Sequence, residues 1–352
     1  MVLLSQRISV IVTAYHRREF LVEAVKSVLE NDYPSEYYEI VVAKNFEDSS
    51  IDKFLLSNRV KIILTEDTNI GEQIYQAVSK SDGDILCFLD DDDRFKPNKL
   101  MEINSVFSEY TDLVYYHNQT DSIDDQSDFL PGNIHRKITA KVTLKEGSAD
   151  EIGMIFKSRS DFTLYSLMFN LSCVAIRRKV LLPFLNYLRR IIDGTDWFVF
   201  YCGLLYGELM LFDTKVLTDY RVHRSVSNIF TSDANLKEIA QFTISKFDKE
   251  GHFSIVLSEF CLKTKVEQLI KVKLLEEKIV TRILSERHQR VTLKEYLEYL
   301  RSLRYVAHPS MKSISMRFGL IFLSLFLPSI SGIFYSLYRR HSLMSRLSSK
   351  SV

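Results

Sequence analysis

The apolar run Ile85-Leu86-Cys87-Phe88-Leu89 leads directly into four consecutive aspartates, Asp90, Asp91, Asp92 and Asp93. Such a run reads as a buried strand, and its carboxyl end is where the loops of an open α/β sheet gather around ligands. Like charges packed side by side repel, so a fold keeps them where something cationic answers. A divalent metal answers best. Mg²⁺ and Mn²⁺ take oxygen ligands, commonly one or two carboxylates plus the phosphates of a substrate. A solvated acidic turn is the alternative; the buried strand before the run and Arg94-Phe95-Lys96-Pro97 after it favour the metal.

The stretch around this run alternates β-rich segments with helical patterns, which predicts a sheet of mostly parallel strands covered by helices. Strands are expected at Ile8-Ser9-Val10-Ile11-Val12, Glu39-Ile40-Val41-Val42, Val60-Lys61-Ile62-Ile63-Leu64 and residues 113–117. Helices are expected at residues 20–30, where Leu21, Val25, Val28 and Leu29 share a face, and at residues 72–80. Residues 119–128 are polar and acidic and read as a mobile loop. Beyond Asp233 the pattern is almost wholly helical, with Leu262, Val266, Leu269, Val280, Ile283 and Leu284 roughly on one face.

Charge excludes one class of partner. The 46 Lys and Arg against 45 Asp and Glu leave no global field that would point to nucleic acid. The four cysteines, Cys87, Cys173, Cys202 and Cys261, form no CxxC pair, so neither a zinc knuckle nor a disulfide framework is suggested, and a reducing cytosol fits them. The first apolar block is too short for a secretory signal.

Residues 318–337 contain no charged side chain. As a helix at 1.5 Å per residue they would cover roughly 30 Å, about one hydrocarbon core. Tyr335 and Tyr338 with Arg339, Arg340 and His341 would make an interfacial border, and Lys312 and Arg317 flank the other side. Pro328 and Gly332 interrupt the run, leaving open a kinked span, two short helices in the interface, or a re-entrant hairpin. A membrane-associated C-terminus is the expectation.

Taken in order, Ile8 through Thr13-Ala14-Tyr15-His16-Arg17, then Asn69-Ile70-Gly71, then Cys87-Phe88-Leu89-Asp90-Asp91-Asp92-Asp93 leading to Pro97-Asn98-Lys99-Leu100, resemble the family 2 glycosyltransferases of GT-A fold. The resemblance extends to Gly194-Thr195-Asp196-Trp197, similar to the segment carrying the catalytic base, and to Tyr220-Arg221-Val222-His223, similar to an element near the diphosphate. It covers about residues 8–230 and implies an inverting, nucleotide-sugar-dependent transferase. It further implies that Thr13, Ala14 and Tyr15 hold the nucleotide, and that an aspartate-x-aspartate motif falls on Asp90 and Asp92. Nucleotide-sugar contacts are assigned on this basis to Thr13, Ala14, Tyr15, Arg17, Asn45, Asn69, Gly71, Asp90 and Asp91. The chain departs from the family after its second strand, where paired aspartates give way to Val41-Val42-Ala43-Lys44-Asn45; Asn45 or Lys44 then stands in for the acceptor that would read the base.

Elementary chemistry supports the same roles. Displacing a nucleoside diphosphate builds charge on the leaving oxygens, which a metal held by Asp92 would stabilise. The attacking hydroxyl needs a carboxylate to take its proton, a role given to Asp196 with Asp193 in reserve. A helix N-cap is the competing reading of Asp196. His223 is assigned to the metal or the diphosphate, against a plain surface histidine, and Arg17, Arg221 and Arg224 to phosphate, against solvated arginines.

The expectation is thus a metal-dependent (Mg²⁺ or Mn²⁺) glycosyltransferase. Its GT-A domain would span residues 1–230, a helical appendage 231–312, and a membrane-associated segment with a basic tail 313–352. The enzyme would sit on the cytoplasmic face of the cell membrane and serve a lipid-linked or membrane-surface acceptor. A nucleotidyltransferase of similar architecture and a non-catalytic nucleotide-sugar-binding protein are the rival readings.

Overall fold

The computed structural model describes residues 6–66, 69–131, 141–144, 168–222, 241, 244–245, 252–259, 261, 267–284, 291–302, 319 and 321–337. The chain divides into two compact units, residues 1–148 with 165–223, and residues 149–164 with 224–352.

The first unit is built on one mixed sheet. Its strands are β1 (Ile8–Ala14), β2 (Tyr38–Lys44), β3 (Lys61–Leu64), β4 (Ile85–Asp90), β5 (Arg94–Phe95), β6 (Leu113–Ile123), β7 (Val142–Leu144), β8 (Val174–Arg177) and β9 (Leu209–Arg221). The order is β3-β2-β1-β4-β8-β6-β9-β5, with β7 also on β9. The first four strands of that order are parallel. Antiparallel β8 joins β4 to β6.

Every residue of β1 is buried, as an apolar strand covered on both faces requires. Helices α1 (Leu21–Leu29), α2 (Ser49–Ser57), α3 (Ile70–Ser79) and α4 (Lys99–Glu109) supply the cover. Leu21, Ala24, Val25 and Val28 of α1 join the core beneath β1, β2 and β4. The chain passes from β1 outward to β2 and β3, then crosses back to β4 on the other side of β1. In open α/β sheets such a reversal is where ligands bind, in the crevice beyond the carboxyl ends of the strands, and at this end Thr13 of β1 stands opposite Asp90 of β4.

One element differs from expectation. Residues 119–123, read from their polarity as loop, extend β6 and pair with β9 through Gln119↔Val216 to Ile123↔Arg221. Register shifts between His117 and Thr120 let the strand bend and carry on, and Ser122 and Ile123 are buried.

Among the described residues the second unit is helical. Helices Glu267–Leu284 and Leu293–Ser302 enclose a small core of Ile279, Ile283, Val291, Tyr296, Tyr299 and Ile321. Val280 and Leu284 are buried with Tyr335 in a neighbouring cluster, whereas Leu262 and Val266 lie outside the described residues. Thr292 and Glu295 start the second helix with reciprocal side-chain to backbone bonds. The apolar run near the end is interrupted: residues 321–324 and 328–337 are helical and residues 325–326 form a turn. Pro328 lacks an N–H and so begins the second piece rather than continuing the first. No helix among the described residues is long and apolar enough to cross a membrane.

Candidate active site

The crevice is lined first by the end of β1. Thr13 and Ala14 are buried strand residues and Tyr15 is exposed, its ring edge-on to His16 with centroids 4.3 Å apart. His16 turns the chain at φ 58°, and its N–H donates to Asn45 Oδ1 at 2.8 Å. Asn45 therefore ties the ends of β1 and β2 together. Lys44 does not face a base: it is buried, paired with Asp52 at 2.9 Å and bonded to the Phe46 carbonyl.

Facing them is the acidic run. The Asp93 N–H donates to the Asp90 carbonyl at 3.2 Å, closing a turn. That turn folds the run on itself, so that carboxylate oxygens of Asp90, Asp92 and Asp93 all lie within 4.8 Å of one another. Burial, then Asp93, Asp92, Asp91 and Asp196 in turn, push Asp90 well above the usual carboxylate range. Burial and Asp92 likewise push Asp93 up to about 7, against bonds from Asn170, the Arg221 amide and Ser172 that lower it. Three converging oxygen donors with unfavourable mutual charge fit a hard divalent cation.

Arg17, on the loop after β1, reaches this cluster. Its Nε donates to Asp91 Oδ1 at 3.0 Å and its Nη1 lies 2.8 Å from Asp92 Oδ2. Burial alone would lower the Arg17 pKa, but Asp91, Asp92 and Asp90 raise it. The guanidinium assigned to phosphate is thus seated on two of the four aspartates.

Asn69 and Gly71 have structural contacts. Asn69 caps α3 by accepting the Glu72 N–H at 2.9 Å. The Gly71 N–H donates to the Ile191 carbonyl at 3.0 Å, and a Cβ there would lie 2.0 Å from the Leu188 carbonyl oxygen. Together with the Glu72–Arg189 pair at 2.8 Å, the Gly71 contact fastens α3 to the segment leading into Asp193 and Asp196.

Gly194, at φ 82°, occupies the cap position of the helix Thr195–Tyr206. Asp196 is therefore not the N-cap but lies in the first turn. Its carboxylate accepts the Trp197 N–H at 2.9 Å and the Asn170 N–H at 3.4 Å. Burial pushes Asp196 up to about 7, with Asp193 adding to the rise and the two amide bonds opposing it. That value suits a proton acceptor working near neutral pH. Asp193 itself is exposed.

The segment Tyr220-Arg221-Val222-His223 needs a correction at Arg221. This arginine is buried, with Nε on the Asp92 carbonyl at 2.8 Å, Nη1 on the Asp124 carbonyl at 2.7 Å and Nη2 on Glu23 at 2.8 Å. It also lies over the Phe20 ring at 4.2 Å. Its guanidinium clamps the back of the acidic turn rather than meeting phosphate. His223 and Arg224 lie outside the described residues.

Asp93, read from the sequence only as part of the acidic run, joins the cluster. Two contributors were missed by sequence reasoning. Asn170, buried at φ 72°, donates Nδ2 to Asp93 Oδ2 at 2.6 Å, and its Oδ1 accepts the Ser172 N–H at 2.8 Å. Lys99, wholly buried and pushed down by that burial to about 8, donates to the Ser172 carbonyl and to Thr218 Oγ1 at 2.8 Å. An asparagine ahead of a strand was the only available signal for Asn170, since Asn tolerates a left-handed backbone.

Comparison with known proteins places this geometry. Residues 9–182 match the model of glycosyl transferase family 2. An uncharacterized glycosyltransferase of Nostoc sp. is 25% identical over 246 residues, which are 67% of this chain and 70% of that protein. An uncharacterized glycosyltransferase of Rickettsia bellii is 25% identical over 149 residues, 39% of this chain; the match spans 21% of the Rickettsia protein. S. aureus TarS 1-349 in complex with UDP-GlcNAc superposes with TM-score 0.54 at 14% identity, over 96% of this chain and 92% of that one. The same protein with UDP gives 0.53. At such identity the structural likeness is one of fold. The matches define an α/β glycosyltransferase domain of GT-A type. Residues 9–182 match glycosyl transferase family 2, and both named relatives are glycosyltransferases.

Proposed function

We propose that this protein is a divalent-metal-dependent, inverting glycosyltransferase that moves a sugar from a nucleoside-diphosphate donor to a hydroxyl acceptor at the cytoplasmic surface of a membrane. The observation that carries the reading is the meeting of two kinds of carboxylate in one crevice: a cluster suited to a cation, and Asp196, pushed up to about 7 by burial. The nucleotide-sugar complexes of the TarS neighbour support a nucleotide-sugar donor.

Asp90 and Asp92 would hold Mg²⁺ or Mn²⁺, with Asp93 completing the oxygen set from behind. The metal, when bound, supplies Lewis-acid stabilisation of the leaving diphosphate. Tyr15, exposed at the end of β1, offers a face for the base. Arg17, on the same loop, has the planar fork that suits paired phosphate oxygens. Asp196 takes the proton from the attacking hydroxyl, and a single displacement driven by one base inverts the anomeric centre. The membrane location rests on the uncharged run at residues 318–337 and the basic tail beyond it.

The test is a panel of nucleotide sugars, beginning with UDP-GlcNAc, in thermal-shift assays with and without Mn²⁺, followed by product analysis. Stabilisation by one donor only with metal, and release of the nucleoside diphosphate, are expected. Release of pyrophosphate would identify a nucleotidyltransferase instead.

A further inference from the structure

Residues 321–337 bury Ile321 and Tyr335 but leave most of their large apolar side chains outward. Phe322, Phe326, Ile330, Ile333, Phe334 and Leu337 are each between 41% and 60% exposed, whereas Ser324, Ser331 and Ser336 are buried. The buried Ser324 hydroxyl is satisfied within its own turn, donating to the Ile321 carbonyl at 2.6 Å. A helix of a water-soluble protein keeps its apolar stripe toward the core and its polar residues outward. So many large apolar side chains left outward within one short stretch is the kind of surface that marks a contact with something else.

The charge around the patch says what that contact is. From Arg301 to Val352 the sequence holds eight Lys and Arg and not one Asp or Glu, although the whole chain is balanced at 46 against 45. Lys312 and Arg317 precede the patch, and Arg339 and Arg340 follow it. A second copy of this chain docked face to face would bring two acid-free cationic segments together, and their repulsion argues against it. An anionic bilayer surface satisfies both features at once, burying the apolar side chains at the level of the headgroups and drawing the cations to lipid phosphate. The helix 328–337 has ten residues and is roughly 15 Å long, half of a hydrocarbon core of about 30 Å, so it suits lying in the interface rather than crossing it.

We propose that residues 321–337 dock in the plane of an anionic membrane leaflet, with Phe322, Phe326, Ile330, Ile333, Phe334 and Leu337 as the inserted face and the flanking arginines and lysines as the electrostatic contact. This rests on the membrane location proposed above and adds its geometry, its lipid charge and its residues.

The full chain is mixed with sealed vesicles of phosphatidylcholine alone or with 30% phosphatidylglycerol and floated on a density gradient. Binding to the anionic vesicles at least about tenfold stronger than to the neutral ones is expected, weakening with salt and released by alkaline carbonate. The double variant Phe326→Asp with Ile333→Asp should abolish flotation, and Arg339→Glu with Arg340→Glu should remove the lipid preference. Circular dichroism and nucleotide thermal shift of both variants should match the parent, since the changed side chains are exposed or lie in the tail. Vesicle binding that resists carbonate would overturn the in-plane geometry while leaving the membrane location standing. Equal binding to neutral and anionic vesicles would overturn the lipid assignment. No flotation, with a dimer in solution that Phe326→Asp with Ile333→Asp makes monomeric, would remove both the docking and the membrane location.

Discussion

Asn170 donates its side-chain amide to the Asp93 carboxylate at 2.6 Å. Its backbone N–H points at Asp196, 3.4 Å from Oδ2, so one residue bridges the acidic cluster and the proposed base. The φ of 72° lets both bonds form, because it turns the peptide and the side chain to opposite partners. Ser172 reinforces the arrangement: its hydroxyl accepts the Asp90 N–H at 3.0 Å and its carbonyl accepts from buried Lys99. Two parts of the site separated by more than a hundred residues are held in register by this short stretch.

Replacing Asn170 by glycine separates the two bonds. Glycine adopts the same φ without strain and keeps the N–H toward Asp196, so the backbone link stays while the side-chain bonds to Asp93 and to the Ser172 N–H are lost. Catalysis depends on alignment at the scale of about 1 Å, and a turnover loss on the order of 10²-fold with little change in donor affinity is expected. Asn170→Ala should add a melting-temperature loss, because a Cβ is disfavoured at that φ at a cost of roughly 1–2 kcal/mol. Single-turnover rates and donor titrations of the glycine variant decide the matter; unchanged turnover sinks the bridging role.

Asp196 couples activity and stability in opposite senses. A base must be deprotonated to act, so transfer should rise with pH through about 7 and level off above. The folded pKa lies above the ordinary 3.8, so the native state holds the proton more tightly than the unfolded chain. Stability from this group is therefore complete below about pH 4 and is lost as pH rises through 7. Asp196→Asn should cost about 10² to 10⁴ in turnover and raise the melting temperature at pH 8, while Asp193→Asn, at an exposed position, should do neither. The base assignment fails if the Asp193 variant shows the larger loss of turnover.

The parts of this molecule that were legible in the sequence are those whose cause is local. Continuous apolar runs gave β1, β2 and β4 to within two residues at either end, and the aspartates after Leu89 marked the end of β4. Gly194-Thr195-Asp196 marked the start of a helix, although the cap turned out to be the glycine. What stayed hidden depends on partners far away in the chain. Arg221 looks like a surface cation beside a histidine until Glu23 and Asp124 close around it. Residues 119–123 look like loop because their polar side chains say nothing of the β9 backbone that pairs with them. Gly71 reads as a nucleotide-binding glycine, and only the Leu188 carbonyl shows why a side chain has no room.

That last point is testable. Gly71→Ala forces a Cβ to within 2.0 Å of a backbone oxygen in the segment before the proposed base. Backbone yields poorly, so overpacking should cost about 1–3 kcal/mol or more and lower the melting temperature by several degrees. A variant that melts like the parent but binds donor weakly would return the residue to the nucleotide site.

Arg17 tests the metal reading from the opposite side. Its guanidinium lies on Asp91 and Asp92, so without a cation it is the nearest positive charge relieving their repulsion. Arg17→Gln removes that relief while sparing the carboxylates a metal would use. The variant should melt lower than the parent in EDTA, because like charges are then left facing one another. Mn²⁺ should restore more stability to it than to the parent, since the ion no longer competes with a fixed cation and a tighter ligand stabilises more. Donor affinity should nevertheless fall, because the variant has lost a phosphate-binding fork. Asp92→Asn is the matching control and should lose the Mn²⁺ shift altogether while keeping its fold. If Arg17→Gln and the parent gain equally from Mn²⁺, or if full transfer activity persists in excess EDTA, the acidic cluster is a structural turn capped by Arg17 and Arg221 and not a metal site.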